Sequence, residues 1–478
     1  MAETISVDLC VIGGGLAGLS AAAEARRLGA SVALVERHRL GGSYLFNGTV
    51  PARALAAAAA HAHAMRNAAP FGIAAESPRV NARKVHDGIQ EIVAGLAPKS
   101  AIAHLEALGV QVLIAEARFA DAQTVIAGED RITARAFIVA TGARPVAPVL
   151  PGLEGVPYFT PETIYDNTRR LTHLLVVGGT PEALELAQSY NRLGTQVTLV
   201  ADRQPFTGVD PELAAVVIDR MREEGVEILA DTTVTEIQPR SQGIGVAIQS
   251  AGEAARLDIS HILVADGQVP NVDALDLEKA GIRRRRSDPH LLDLTAQLRT
   301  SNRRVYVVGG ATGAPERAHL ASWQAASVVR NILLMAPSSG DAAAAPVVYY
   351  TDPEVATIGL SEQAARTAHG TGFEVLRASF AENDRARATR QGYGLVKLVV
   401  RKDGALLGAG IVGDRAGELI TTIGLALSQR LKLTDLAHQI APHASLSETI
   451  VAMARDYQRD QGVSTWAQRF LALRRYLP

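Results

Sequence analysis

Val7-Asp8-Leu9-Cys10-Val11-Ile12-Gly13-Gly14-Gly15-Leu16-Ala17-Gly18 joins a branched apolar run to a glycine-rich turn. The run over 7–12 reads as a buried strand. An alanine-rich helix is expected from 19 to near 28, and a second strand over 31–35 that ends in Glu36. Strand, GxGxxG, helix, strand and then an acid about twenty residues on make a dinucleotide-binding fingerprint. Each part has a physical task. Gly13 permits a tight turn, Gly15 lets backbone approach a pyrophosphate, and Gly18 lets helix and strand pack closely. The helix N-terminus offers unpaired amides and partial positive charge to phosphate. Glu36 can accept hydrogen bonds from ribose hydroxyls. A glycine turn alone would equally suit a connection with no ligand; the strand before it and the acid after it favour the ligand.

The 478 residues suit several domains better than one core. A formal net charge of −1, with basic residues scattered, gives no footprint for nucleic acid. Arg283-Arg284-Arg285-Arg286 is expected to be a solvated turn. No apolar run is long enough to span a membrane. The start Met1-Ala2-Glu3-Thr4 lacks the pattern of a signal peptide, so a cytoplasmic location is expected. Cys10 is the one cysteine. No disulfide can form within the chain and no cysteine-based metal cluster can be built, and no metal site is expected. Inside its apolar strand Cys10 reads as a small buried hydrophobe rather than a reactive thiol.

A second unit of the same kind follows a proline-rich loop. Its expected strand covers 174–177, its turn is Gly178-Gly179-Thr180-Pro181-Glu182-Ala183, its helix runs to about 193, and its second strand covers 196–200. Three residues depart from the fingerprint. Thr180 replaces the middle glycine, Pro181 has no N–H to donate, and Glu182 competes with an anion for the helix dipole. Ala201 stands at the place of the ribose-reading acid, with Asp202 and Arg203 after it. Nucleotide binding here, and the choice of NAD or NADP, stay open against a domain that keeps the fold without the ligand.

Gly41-Gly42-Ser43-Tyr44-Leu45-Phe46-Asn47-Gly48-Thr49-Val50-Pro51-Ala52-Arg53 resembles the redox-active segment of the flavoprotein (pyridine nucleotide) disulfide reductases, the family of mercuric reductase and dihydrolipoamide dehydrogenase. In that family two cysteines of this frame form a disulfide beside the flavin; their places here hold Tyr44 and Thr49. Further matches are Thr141-Gly142, the loop 264–271 with Gln268 in place of an arginine, and the stretch 300–310. The resemblance implies an α/β fold with two Rossmann-like dinucleotide-binding domains, for FAD and NAD(P), plus a C-terminal α+β dimerisation domain. The implied segments are 1–150 for FAD, 151–270 for NAD(P), 271–345 returning to the FAD domain, and 346–478 for dimerisation and tail. A linker is expected over 340–346, and a basic amphipathic surface or dimer-packing helix over 466–478. The resemblance spans residues 5 to about 460.

Residue by residue, the resemblance implies that Gly13, Gly15, Gly18, Glu36, Gly42, Ala117, Thr141, Gly142, Gly310, Ala318 and His319 serve FAD. Gly178 would serve the second nucleotide. Glu185 would pair with Arg53, which stands where the family has a lysine. Gly310 replaces an aspartate that would bond the ribityl chain. His443 and Glu448, five apart, match an acid–base dyad supplied by the partner subunit of a homodimer. Without a dithiol, the implied enzyme passes electrons from NAD(P)H through FAD directly to a small acceptor such as a quinone. Thr49 would then lie near the flavin and Tyr44 in the substrate channel, and both would equally suit inert filling. The alternatives are a flavin-binding structural or regulatory protein retired from catalysis, and a flavin dehydrogenase or oxidase that does not use NAD(P)H.

Overall fold

The computed structural model describes residues 4–74, 76–146, 148–315, 317–337, 345–461 and 465–475. The side chains of 465–468 are not described. Most of the expected linker, residues 340–344, and the tail residues 476–478 lie outside that set. The chain forms two compact units, one of residues 1–207 and 224–342, the other of 208–223 and 343–478.

The larger unit is built on a seven-stranded sheet. Thr4–Ile12 lies at its centre between Val32–Glu36 and Asp130–Val139, both parallel to it. Val305–Val307 returns late in the sequence to lie parallel to Asp130–Val139. Leu9 and Val11 point to one buried layer, which helices Leu16–Arg27 and Ala318–Leu334 help to cover. Cys10 and Ile12 point to the other layer, with Phe119 and Phe137. Burial on both faces explains why the strand reads as a continuous apolar run. The leucine-rich stretch after 274 also enters this second layer, through Leu275, Leu277 and Ile282.

A second parallel sheet in this unit takes the order Glu227–Leu229, Gln196–Val200, His173–Val177, His261–Val264. Beside it in sequence, Thr232–Pro239, Ile244–Ser250 and Glu253–Ile259 form an antiparallel meander. The smaller unit carries a five-stranded antiparallel sheet from Val347–Tyr349 to Phe373–Ser379. Helices Ala416–Ser428 and Pro211–Glu223 pack on it. Lys397, buried in that sheet, bonds Asp210 at 2.7 Å, Glu362 at 2.9 Å and Glu212 at 3.0 Å.

Three expectations are corrected. The first helix starts at Leu16 rather than 19, because Gly15 already accepts the Leu19 amide at 2.9 Å and the glycine at 18 is helical. The second strand begins at Val32 rather than 31, and ends in Glu36 as expected, through pairing with Ile114. The arginine run is not only a turn: Arg284–Arg285 pairs with Asp288–Leu292, and Arg284 bonds Asp273 at 3.0 Å and the Pro289 carbonyl at 2.9 Å. In the tail, Thr465–Arg474 is helical.

Candidate active site

The first turn is shaped by what its glycines lack. Gly13 has φ +107°, and a Cβ there would lie 2.4 Å from the Ala140 carbonyl oxygen. A Cβ on Gly18 would lie 1.8 Å from the Gly13 carbonyl oxygen, so the helix seats on the turn only because residue 18 has no side chain. Gly15 is the N-cap and gives the helix no side-chain cap. A Cβ at Gly15 would meet nothing nearer than Gly42 Cα at 3.8 Å. The first helical turn therefore faces open space with no side chain bonded to its amides, the arrangement that suits a phosphate. Glu36 is fixed beside it: one carboxylate oxygen accepts from the Gly14 amide at 2.7 Å and the other from the His38 amide at 2.8 Å.

This turn opens on a cavity of ≈ 970 Å³. Gly13, Gly15 and Glu36 line it from the βαβ unit; Gly42, Tyr44 and Thr49 line it from the following segment. Ala117, Thr141, Gly142, Gly310 and Ala318 complete the set of expected residues that the fold brings here. The others stand elsewhere. Gly18 lies beneath the turn, Gly178 begins the second turn, and His319 is exposed at the start of helix Ala318–Leu334. Arg53 and Glu185, on helices Thr49–Arg66 and Pro181–Arg192, form an ion pair and do not line the cavity.

Several lining residues escaped sequence reasoning, among them Asn47 and Asn271. Two buried polar atoms on the wall, Thr141 Oγ1 and Asn47 Oδ1, have no hydrogen-bond partner among the described residues. Such atoms are costly unless a ligand satisfies them. Arg39 stacks its guanidinium 3.6 Å from the ring centre of Phe46, also at the cavity. Tyr165, which lines a separate cavity of the same unit, was missed as well. Its hydroxyl is buried without a partner among the described residues. Burial first, then the charges of Glu182 and Glu185, push the phenol pKa up, while Arg53 opposes them. No spacing in the sequence marks a lone tyrosine 112 residues from Arg53 as its neighbour.

Comparison with known proteins places this geometry. The family model described as pyridine nucleotide-disulphide oxidoreductase matches residues 7–325, and the dimerisation domain of the same family matches residues 345–454. A dihydrolipoyl dehydrogenase from Geobacillus stearothermophilus is 32% identical over 464 residues, covering 94% of this chain and 96% of that one. A mercuric reductase from Staphylococcus aureus is 30% identical over 458 residues, covering 95% and 83%. The chain belongs to the pyridine nucleotide-disulphide oxidoreductase family. A solved structure, the Cu(II) complex of the HOCl-induced flavoprotein disulfide reductase RclA from Escherichia coli, shares the fold at a TM-score of 0.83 and 23% identity. It covers 95% of this chain and 99% of that one.

The family binds FAD and uses NAD(P)H. The residues present fit FAD at the first turn: open helix amides, a fixed carboxylate at the ribose place, and two orphaned polar atoms on the wall. At Gly310 the fit differs, since a Cβ would lie 3.0 Å from the Ala143 amide nitrogen. The backbone at Ala143 thus closes on the position from which a family aspartate would extend. Cys10, the one thiol, is fully buried in the sheet, and burial pushes its pKa up to about 12.

The second turn satisfies itself. Thr180 is the N-cap of helix Pro181–Arg192; its hydroxyl accepts from the Ala183 amide at 3.2 Å and donates to the Ala265 carbonyl at 2.9 Å. Pro181 supplies no amide and Glu182 sits in the first turn. No carboxylate stands at the buried Ala201, and the exposed Asp202 and Arg203 pair with each other at 3.2 Å.

In the smaller unit, the His443 ring nitrogen Nδ1 lies 3.0 Å from one Glu448 oxygen, and the Ser445 amide donates to the other at 3.0 Å. Those two bonds, the amide first, hold the Glu448 carboxyl below its usual range. Asn383, almost fully buried, fixes the loop by donating to the Ser445 carbonyl at 2.9 Å. The His443 side chain is 72% exposed, so its other ring nitrogen faces outward.

Proposed function

We propose that this chain is an FAD-dependent oxidoreductase passing electrons from NAD(P)H directly to a small acceptor such as a quinone, without a thiol relay of its own. The observation that carries this is the cavity wall: Tyr44 and Thr49 line the flavin-sized space, and the one cysteine is buried elsewhere with its thiol held neutral. Bound FAD supplies the chemistry of accepting a hydride and returning two electrons. Around it, Thr49 offers a hydroxyl donor and Tyr44 a ring on which a planar acceptor stacks. Arg53 and Glu185 keep a compensated charge pair for the nicotinamide side. A quinone takes up two electrons and two protons; the hydride from NAD(P)H brings both electrons and one proton, which leaves one proton for an acid to supply. His443 is assigned the delivery of one proton at its outward nitrogen, to the acceptor in a partner subunit of a homodimer, while Glu448 fixes the tautomer.

Anaerobic mixing with NADH or NADPH tests the donor side: the visible flavin absorbance should bleach quickly. His443→Ala should leave that bleaching unchanged and slow quinone turnover by about 100-fold, the usual scale for losing a positioned acid. An unchanged turnover removes the dyad from the reaction. A second reading is supported by the Thr180 cap. It is a flavin enzyme reduced by an organic substrate instead of NAD(P)H, and a tightly held flavin that neither nucleotide bleaches would select it.

A further inference from the structure

A second cavity in the larger unit, of ≈ 700 Å³, shares no lining residue with the first. Its volume lies in the range of small-molecule sites. Its deep wall is apolar: Leu55, Ile89, Ile164, Leu171 and Tyr190 line it and are all buried. Its rim is cationic: Arg66, Arg79, Arg169 and Arg170 line it and are all exposed. Arg169 and Arg170 are adjacent, and the fold brings them to the same cavity as Arg66 and Arg79, about ninety residues or more earlier in the chain. Among the described residues none of the four guanidinium groups forms an ion pair; Arg66 donates only to the Arg192 carbonyl. Glu76 is the one acid on the lining, and His86 leans on Asp87 at 3.0 Å.

Four unpaired guanidinium groups around one opening repel one another weakly and gain from a shared anion. A guanidinium presents a planar fork that binds a carboxylate or phosphate through two parallel hydrogen bonds, and Arg66 already uses one of its donors on the Arg192 carbonyl. An anion alone leaves the apolar wall wet, and an apolar molecule alone leaves the arginines unpaired. We propose that this cavity binds an amphipathic anion, a carboxylate or phosphate monoester with an alkyl or aryl body, the head on the arginine rim and the body against Leu55, Ile89 and Leu171. The site is independent of the flavin reaction proposed above.

Calorimetric titration of the FAD-loaded protein tests it with decanoate, decyl phosphate, decanol and inorganic phosphate. Decanoate or decyl phosphate should bind one per chain, at least about tenfold more tightly than decanol or phosphate, a difference of about 1.4 kcal/mol. The two amphiphiles compared with each other identify the head group. The double substitution Arg169→Ala/Arg170→Ala removes two exposed side chains, so folding and flavin content should be unchanged while affinity falls at least about tenfold. Equal binding of decanol, affinity untouched by the double substitution, or no binding of either amphiphile at millimolar concentration would overturn the proposal.

Discussion

The two strand–turn–helix units of this chain repeat one backbone plan. Gly13 and Gly178 both hold positive φ, +107° and +126°, and a Cβ on either would strike a carbonyl oxygen, of Ala140 at 2.4 Å or of Ala265 at 2.3 Å. Their amides bond the next strand alike, Gly13 to Val35 at 2.8 Å and Gly178 to Val200 at 2.9 Å. They part at the third residue. Gly15 leaves the helix N-terminus uncapped and open; Thr180 closes it with its own hydroxyl. A helix needs partners for its first amides, and a ligand and a side-chain cap are two ways to supply them. The first unit has kept a place for the ligand, while the second has a helix satisfied without one.

Exchanging that residue tests the comparison, and the larger effect is expected in the first unit. Gly15→Thr has room for its Cβ, so the protein should fold with nearly unchanged melting temperature. The new hydroxyl would cap the Gly18 amide and occupy the approach to the pyrophosphate. Flavin retention should fall by about 100-fold, the loss of two charge-assisted hydrogen bonds at ~1.5 kcal/mol each. A yellow Gly15→Thr protein with wild-type affinity would show that the open cap is not what holds the nucleotide.

The reverse change, Thr180→Gly, opens the second turn. Stability should fall by only a few tenths of a kcal/mol, because glycine is a tolerable N-cap. Nicotinamide nucleotide affinity, followed by the concentration dependence of flavin bleaching, should rise about tenfold, the equivalent of one good hydrogen bond. Thr180→Ser keeps the cap and should leave affinity as it is. If serine and glycine behave alike, steric bulk rather than capping limits this turn.

The sequence made the first unit readable because its constraints are local: a tight turn, a close helix and an acid, each tied to one residue type. Gly13, Gly15 and Glu36 fall at one cavity because a single βαβ unit carries them; Tyr44 and Thr49, on the two helices after it, line the same cavity but were found through likeness to a family. Ala117, Thr141 and Gly310 were found only through likeness to a family, since strands well over a hundred residues apart in sequence must pair before they meet, as Val307 does with Val139, 168 residues away, and Thr4 with Arg131, 127 residues away. Tyr165 left no local trace, because its significance is the buried company its hydroxyl keeps. The arginine rim is the same case: Arg66, Arg79 and Arg169 look like ordinary surface residues until the chain folds. At the second turn, Thr180 and Pro181 were legible as departures, but not that the threonine would cap its own helix.

The smallest expected effect concerns Asp266, which follows the Ala265 carbonyl bonded by Thr180; its Cα would lie 3.0 Å from a Cβ on Gly178. Burial first, and then the nearby charge of Asp202, push its pKa above the usual aspartate range, with Arg203 opposing. A raised carboxyl holds its proton more tightly in the folded chain. Its ionisation therefore costs stability, a cost absent below the ordinary range and incurred as pH rises through the raised value. The same charge repels a phosphate at this turn. Nicotinamide nucleotide affinity should accordingly increase as pH falls through the region just above the ordinary aspartate range, by about twofold to threefold for a partly screened charge. Asp266→Asn should bind at neutral pH with the affinity the wild type reaches only in acid, and should melt slightly higher at neutral pH with no difference in acid. An affinity that keeps its pH dependence in Asp266→Asn would remove Asp266 from the repulsion, leaving the cap formed by Thr180 as the main difference between the two turns.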